Sequence, residues 1–371
     1  MKKFLGLLLV FAVVLSIGGS VFAAWPDQYA DVDSWPEWAL KGQRINESKY
    51  EAWGGDLAEA VWWELMIGDP PANGEQSSRR TFRPSDTITR AEYATILVRA
   101  LGITATQGSG EWYRPAVNAL MERNIVTSDG DFNLAITRRE MGDWVGRSLD
   151  WYGVDLTGKS ETSFSDIAAL PEAPYISVAS KAGVIRGYPD GTFGPERTAT
   201  RAEAAAMAIR LAKQLTKNKP GAEEFGIVYR EFWKAITRVD KEMTSGETYN
   251  HGSYLAPLTS QMYLYGPDGL DSYYRWFFDQ RHYPDSYREL VDVVVTPFQI
   301  RDTVALVQVT ATTRRVRFDG QETYRNTATE FVYLVRRGPE PSGEGGRWVI
   351  SNVEAPSNFP DSWKPQAEEG R

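Results

Sequence analysis

The sequence predicts a multidomain protein, in which a mainly α-helical body of three repeats is followed by an α+β domain with helices on a curved antiparallel sheet. Three observations lead to this prediction. The octet TITRAEYA at 87–94 recurs as AITRREMG at 135–142 and as TATRAEAA at 198–205. Each octet leads into an apolar-periodic run typical of an amphipathic helix. From residue 291 onward, four alternating segments are instead typical of hairpin-connected strands.

The amino-terminal residues and the net charge of the chain limit where the protein is located and which partners it binds. Lys2 and Lys3 precede the uncharged run 4–17, and the segment VFA ends at Ala23. This pattern predicts a secretory signal peptide over residues 1–23, with retention as an uncleaved anchor as the alternative. Removing these two lysines takes the formal net charge from −8 to −10, which disfavours nucleic acid and anionic membrane surfaces as partners.

The chain contains no cysteine and two histidines. Zinc–thiolate sites and cysteine nucleophiles are therefore excluded, and histidine-based metal or triad chemistry has little room. We expect no cofactor and no metal ion. At 371 residues the chain is long enough for two or three domains, which must rely on core size instead of disulfides.

Each octet contains a helix-starting device. A Thr followed three residues later by Glu predicts a capping box, in which each side chain accepts a hydrogen bond from the other residue's backbone N–H. The three pairs are Thr89 and Glu92, Thr137 and Glu140, and Thr200 and Glu203. Between them, Arg90, Arg138 and Arg201 fall at the first helical position, where the unpaired N–H groups already have a partial positive charge. Capping alone does not explain a cation at this place.

A second apolar helix and a turn rich in Gly, Asp and Pro precede each octet. These helices are predicted at 56–67, 114–125 and 175–185. Helix, turn and capped helix therefore recur as a degenerate repeat. Because a two-helix unit cannot bury its own apolar face, we expect the three units to pack on one another as a single body.

The character of the sequence changes after a linker at 216–221. Residues 222–243 and 269–280 are predicted to form amphipathic helices, and strand patterns follow at 291–300, 303–318, 326–337 and 347–354. Polar residues that could line a cone between helices and sheet are His251, Tyr263, Asp271, Tyr274 and His282. No pair of them has a spacing diagnostic of catalysis, and ordinary surface hydrogen bonding is the alternative.

The motifs of the three units are similar to those of a known family. The third unit has FSDI at 164–167 and AGVIRGYPDGTFGPERTATRAE at 182–203, and the first has YADV at 29–32 and TFRPSDTITRAE at 81–92. The second, ERNIVTSDGDFNLAITRRE, diverges most and has Arg139 where Ala is usual. Over residues 25–215 these motifs resemble the S-layer homology family. By pattern alone, the carboxy-terminal domain resembles the nuclear transport factor 2-like superfamily.

The resemblance to the S-layer homology family implies a wall anchor. Triplets of this family form a pseudo-threefold body that holds secreted proteins to secondary cell-wall polymers, often through a pyruvate ketal on an amino sugar. By analogy, Arg90, Arg138 and Arg201 would clamp carboxylates of the polymer at helix starts, whose free N–H groups favour anions. The turn residues that would line the pockets are Gly68, Asp69, Ser128, Asp129, Gly187 and Tyr188. The alternative is that each arginine is solvated or pairs with an acidic residue such as Asp86 or Glu196.

Together these predictions define an organisation and a function. A signal peptide (1–23) precedes three repeats (24–102, 103–158 and 159–215), a linker (216–221), an α+β domain (222–356) and a flexible tail (357–371). We expect a secreted protein of the cell wall or S layer, anchored to an anionic, pyruvylated wall polymer or a peptidoglycan-linked glycan and displaying a ligand- or protein-binding domain. No membrane span is expected after signal cleavage. The alternatives are a wall-anchored enzyme with its active site in the carboxy-terminal cone, and a subunit of an S-layer lattice.

Overall fold

The computed structural model describes most of the chain between residues 29 and 354. The described residues are 29–31, 34–36, 38, 41–46, 49–70, 79–105, 110–159, 163–217, 219–245, 251–259, 286–336 and 347–354. The predicted signal peptide, the predicted helix at 269–280 and the predicted flexible tail lie outside them. Among the described helices, none combines the length and the apolar composition that crossing a membrane requires.

Helices dominate the amino-terminal part of the described chain. They are α1 (Asp56–Trp62), α2 (Arg90–Leu101), α3 (Arg114–Met121), α4 (Arg138–Tyr152), α5 (Ala173–Lys181) and α6 (Arg201–Ala212). Helices α2, α4 and α6 start at the arginine of each octet, as predicted. Helices α1, α3 and α5 end earlier than predicted, because the chain enters the left-handed region just after them, at Glu64 (φ 48°), Asn124 (φ 54°) and Gly183 (φ 74°).

A two-stranded antiparallel hairpin precedes α1. Its strands are β1 (Lys41–Asn46) and β2 (Lys49–Gly54). The sequence pattern does not predict them, because KGQRIN and KYEAWG lack the alternating apolar residues on which a strand prediction depends.

The apolar faces of the capped helices form the core of the helical part. In α2, Tyr93, Ile96 and Leu97 belong to the apolar-periodic run of the first octet helix, and they are at most 4% exposed. Helices α4 and α5 approach closely at Gly146, where a Cβ atom would lie 2.1 Å from the carbonyl oxygen of Tyr175. Any larger residue at this position would push the two helices apart.

The carboxy-terminal part is a helix packed on a four-stranded antiparallel sheet. Helix α7 (Ala222–Ser245) and the short α8 (His251–Leu255) precede strands β3 (Ser286–Ile300), β4 (Val304–Arg317), β5 (Glu322–Arg336) and β6 (Trp348–Glu354). The strands pair in the order β3-β4-β5-β6. The four predicted strands are confirmed, with β3 and β5 starting earlier than predicted. Phe225, Tyr229 and Phe232 of α7 share one apolar core with alternate residues of β4 and β5.

The opposite face of the sheet rests on the helical part. Leu306, Phe331 and Tyr333, which alternate with the residues that face α7, belong to the same buried cluster as the capped helices. The indole N–H of Trp63 donates to the carbonyl of Ala305 at 3.0 Å in this buried contact. The sheet and the helical part therefore share an apolar core. The predicted domain boundaries stay predictions.

Candidate functional site

Capping boxes start all three octet helices. The hydroxyl oxygens of Thr89, Thr137 and Thr200 accept hydrogen bonds from the N–H of the Glu three residues later, at 3.2, 3.2 and 3.3 Å. In return, Oε2 of each Glu accepts from the N–H of its Thr at 2.9 Å. Each box thus satisfies two N–H groups that a helix start leaves without an intrahelical partner.

The N–H groups at the first two positions of each helix are also occupied, so the expectation of free donors is wrong. At α2, the N–H groups of Arg90 and Ala91 donate to the carbonyls of Leu134 and Phe132 at 3.0 and 2.9 Å. In the same way, the backbone N–H groups of Arg138 and Arg139 in α4 donate to the carbonyls of Arg197 and Pro195. Those of Arg201 and Ala202 in α6 donate to the carbonyls of Asp86 and Pro84. Each capped helix is therefore closed by the turn that precedes another octet.

A closed triangle of backbone hydrogen bonds joins the three octets. The N–H of Ile88 donates to the carbonyl of Ala199 at 3.1 Å, that of Ala199 to Ile136 at 2.9 Å, and that of Ile136 to Ile88 at 2.9 Å. All three residues are fully buried. Separating any one octet from the other two would break two of these buried backbone hydrogen bonds.

The octet arginines bind the capping glutamates in a cycle as well. The three bonds are Arg90 to Oε1 of Glu140 at 2.8 Å, Arg138 to Oε1 of Glu203 at 2.5 Å, and Arg201 to Oε1 of Glu92 at 3.0 Å. Each Glu therefore caps its own helix through Oε2 and holds an arginine of another octet through Oε1. A cation is stable at the first helical position because a carboxylate of another octet lies there to receive it.

The three arginines differ in burial. The side chains of Arg138 and Arg201 are 3% and 5% exposed, whereas that of Arg90 is 22% exposed. The two buried arginines also donate through Nε to turn carbonyls, Arg138 to Phe193 and Arg201 to Phe82, both at 2.8 Å. Their guanidinium groups are therefore occupied inside the protein. Arg90 also donates to a turn carbonyl, that of Asp131 at 3.0 Å, but its side chain is partly exposed to solvent.

The alternative expectation was that each octet arginine pairs with an acidic residue such as Asp86 or Glu196. The arginines do pair with carboxylates, but not with these two. Asp86 pairs with Arg83 at 2.8 Å, and Glu196 pairs with Arg139 at 3.1 Å. Sequence reasoning could not identify the capping glutamates as partners, because they lie 50, 65 and 109 residues from the arginines that they bind. The role of the arginines as carboxylate clamps stays a prediction.

Comparison with known proteins identifies the third unit. Residues 163–205 match the family model of the S-layer homology domain. The chain contains an S-layer homology domain. It is 32% identical to the exoglucanase XynX of Acetivibrio thermocellus over 192 residues, which are 47% of this chain and 17% of that protein. A cellulosome-anchoring protein of the same species is 30% identical over 146 residues, 35% of this chain and 33% of that protein.

Proteins of the S layer are also similar to this chain. The S-layer protein of Bacillus thuringiensis subsp. finitimus is 24% identical over 180 residues, 43% of this chain and 22% of that protein. The matches thus cover between 17% and 33% of the length of these three relatives. The S-layer homology domain and its relatives indicate a secreted protein associated with the cell wall or the S layer.

The S-layer homology domain contains the turn that covers Arg138. Two predicted pocket residues, Gly187 and Tyr188, lie in this turn. The guanidinium carbons of Arg138 and Arg197 lie 4.8 and 4.7 Å from the centre of the Tyr188 ring. Position 187 requires glycine, since a Cβ atom would lie 2.4 Å from the Phe164 ring. The structure therefore brings this turn and an octet arginine together, but the arginine comes from the preceding unit.

The corresponding turns of the other units contain the remaining predicted pocket residues, Gly68, Asp69, Ser128 and Asp129. Asp69 binds Arg83 at 2.6 Å, and Asp129 binds Arg114 at 2.5 Å. Gly68 adopts the left-handed region at φ 67°, and Ser128 is exposed. In both turns a predicted pocket carboxylate thus neutralises a nearby cation.

Two aspartates hold turns in place, and sequence reasoning assigned them no role. Asp166 of the S-layer homology domain accepts hydrogen bonds from the N–H groups of Phe193 and Gly194, both at 2.8 Å. Asp31 does the same for the turn of the first unit, at 2.9 and 2.6 Å. A signal was present, since these are the aspartates of the FSDI and YADV motifs.

The polar residues predicted for a carboxy-terminal cone fall mostly outside the described residues. These are Tyr263, Asp271, Tyr274 and His282, while His251 begins α8. Between α7 and β5, the structure places Glu330, whose carboxylate accepts a hydrogen bond from the hydroxyl of Tyr229. Burial raises the pKa of Glu330 to about 7. In the described part of the chain, no group of His, Asp and Glu is arranged to hold a metal ion.

Proposed function

We propose that the three octet units are three S-layer homology repeats around a pseudo-threefold axis, and that this body anchors the protein non-covalently to an anionic wall polysaccharide. The observation that carries the proposal is the cycle of bonds between octets. Each turn lies over the arginine-bearing start of a helix from another unit, which creates three related clefts. The first cleft has residues 82–86 over Arg201, the second has 131–134 over Arg90, and the third has 187–197 over Arg138.

The octet arginines give these clefts their shape. A polymer carboxylate that displaced Glu203 from Arg138 would leave the charge of Glu203 without its partner, which costs several kcal/mol in a buried pair. We therefore assign Arg138 and Arg201 to holding the turns over the helix starts. Arg90 does the same and keeps an edge toward solvent. Cationic side chains of the turns then supply the contact with the polymer, because guanidinium groups match carboxylates in geometry and charge.

The relatives support an attachment module rather than a shared activity. These relatives differ in kind, since one is an exoglucanase, one a cellulosome-anchoring protein and one an S-layer protein, and each matches less than half of this chain. A module shared by such different proteins is suited to attachment. The carboxy-terminal sheet, which we propose is a nuclear transport factor 2-like binding domain, is then displayed from the anchor in a fixed orientation through the core that they share.

The anchoring proposal is tested by sedimentation of the mature chain, residues 24–371, with purified sacculi that contain a pyruvylated wall polysaccharide. We expect the protein to pellet with intact sacculi and to stay in solution after hydrofluoric acid has removed the polysaccharide. Free polysaccharide should compete, and polysaccharide with its carboxyl groups reduced should compete poorly. Retention that survives removal of the polysaccharide would contradict the proposal. Equal competition by the reduced polysaccharide would contradict the requirement for an anion.

A further inference from the structure

In two of the three clefts, an arginine is paired with carboxylates of the turns. In the first cleft, the exposed cation Arg83 pairs with Asp69 at 2.6 Å and with Asp86 at 2.8 Å. In the second cleft, Arg114 pairs with Asp129 at 2.5 Å. These carboxylates come from the turns themselves. The protein thus already supplies the anion that each of these guanidinium groups would take from a ligand.

The third cleft has an exposed cation that is not neutralised in this way. The carbonyl of Arg197 caps α4 at 2.8 Å, which places this residue at the mouth of the cleft. Its guanidinium carbon lies 4.7 Å from the centre of the Tyr188 ring. Among the described residues, no carboxylate oxygen lies within 4.0 Å of the Arg197 guanidinium. Its charge is therefore not neutralised by a direct ion pair in the described part of the chain.

The acidic residues near Arg197 are held elsewhere. Glu196, its neighbour in sequence, pairs with Arg139 of α4 at 3.1 Å. Asp190 accepts hydrogen bonds from the N–H and the hydroxyl of Thr192, at 3.0 and 2.7 Å. These hydrogen bonds, with a smaller contribution from the charge of Arg197, keep the pKa of Asp190 below its usual range and fix its carboxylate within the turn. Among the described residues, neither carboxylate forms an ion pair with Arg197.

A second exposed cation adds to the positive charge of the third cleft. Arg186 precedes the turn, and its carbonyl accepts a hydrogen bond from Arg138 at 3.4 Å. It is exposed and has no ion-pair partner in the described part of the chain. Arg138 lies 4.8 Å from the Tyr188 ring and is neutralised by Glu203. Two exposed arginines of this turn, Arg186 and Arg197, therefore have no ion-pair partner among the described residues.

We infer that the third cleft is the anion-binding site of this protein, and that the first and second clefts are closed to anionic ligands by their own carboxylates. The inference rests on the proposed wall-anchoring function, and it predicts that each protein molecule binds one acidic sugar unit of the polymer. Arg197 takes the carboxylate, Arg186 adds long-range attraction, and the ring of Tyr188 holds the Arg197 guanidinium in place.

The test compares three variants of the mature chain, each of which removes one guanidinium from a different cleft. Arg197→Gln changes the third cleft, and Arg83→Gln and Arg114→Gln are the matched controls. We expect Arg197→Gln to weaken retention on intact sacculi at least about tenfold, as loss of a charge-assisted hydrogen bond predicts. The two controls should change retention less than about threefold, because their charges are already paired. Arg197→Lys, which keeps the charge, should recover part of the loss.

A gain of binding tests the same inference from the opposite direction. Asp129→Asn removes the carboxylate that neutralises Arg114, so this variant should bind sacculi more tightly than wild type. Unchanged retention of Asp129→Asn would overturn the closure of the second cleft. Equal weakening by all three arginine variants, or full retention of Arg197→Gln, would overturn the assignment of the third cleft and leave the proposed function standing. Failure of the wild-type protein to bind intact sacculi would contradict both this inference and the proposed function.

Discussion

Arg201 donates a hydrogen bond at 3.0 Å to Oε1 of Glu92, 109 residues earlier in the chain, and so joins the last octet to the first. This contact closes the cycle that also contains Arg90 with Glu140 and Arg138 with Glu203. Each capping carboxylate therefore serves two helices. A cation at a helix start is unfavourable by about 0.3–1 kcal/mol from the helix dipole alone. The charge-assisted bond to a carboxylate of another octet more than offsets this.

The cycle predicts that Glu203→Gln will destabilise the protein strongly. The substitution leaves Arg138, whose side chain is 3% exposed, without its carboxylate. We expect the free energy of unfolding to fall by about 3–5 kcal/mol, measured by urea denaturation. The matched control is Glu196→Gln, which breaks the exposed pair with Arg139 and should cost less than about 1 kcal/mol. Similar small losses for both variants would show that the cycle adds little to stability.

The shared core predicts that the sheet and the helices unfold together. Trp63→Phe keeps an aromatic ring but removes the N–H that donates to the buried carbonyl of Ala305. The expected loss is about 1–3 kcal/mol, because that carbonyl is left without its partner. Trp151→Phe, at a site that is 43% exposed, is the control and should change stability by less than about 0.5 kcal/mol. Thermal unfolding should show one transition by calorimetry, and two separate transitions would contradict the coupling.

The half-buried Glu330 predicts a fall in stability as the pH rises. Burial raises its pKa from the ordinary 4.5 to about 7 in the folded protein. Between these values the folded state holds a proton that the unfolded chain has released, so stability decreases with rising pH across this window. We expect a loss of about 1–3 kcal/mol between about pH 4.5 and 8, since Glu330 keeps some contact with water.

The control for this pH dependence is Glu330→Gln. Its free energy of unfolding, measured by urea denaturation at several pH values, should vary less with pH than that of wild type. It should also exceed that of wild type at about pH 8, where the native carboxylate is charged. The same pH dependence in both proteins would assign the effect to other groups.

The residues with a left-handed backbone conformation that follow α3 and α5 predict opposite effects of two substitutions. Gly183 has φ 74°, and a Cβ atom there would meet no atom within 4 Å, so Gly183→Ala should cost about 1 kcal/mol through the backbone alone. Asn124, at φ 54°, occupies the corresponding place after α3, and Asn124→Gly should gain up to about 1 kcal/mol. Gly130→Ala adds a Cβ in open space without a left-handed φ, and it should change stability by less than about 0.5 kcal/mol. Chemical denaturation of the three variants would decide this, and a loss at Gly130 equal to that at Gly183 would contradict the backbone explanation.

The predictable parts of the fold depend on short-range signals. The capping boxes could be predicted because Thr89 and Glu92 are three residues apart, and the strands because their side chains alternate between two faces. The ends of the upstream helices were predicted less well. Only the third unit has a glycine, Gly183, at the left-handed position, whereas Glu64 and Asn124 occupy it in the other two. Glutamate gives no turn signal, and the predicted helices of the second and third units ran past Asn124 and Gly183 because the apolar period continues beyond these residues.

The sequence by itself determined where the octet helices start, that three related units precede a four-stranded sheet, and which arginines occupy the first helical positions. Only the tertiary structure decided which carboxylate each arginine meets and which cations remain available to a ligand. Arg83 and Arg197 both lie in the turn before an octet. Asp69 and Asp86 neutralise Arg83, whereas Glu196 pairs with Arg139 and Arg197 has no ion-pair partner among the described residues. Electrostatic pairing depends on distance in space, and folding sets that distance between side chains that lie tens of residues apart.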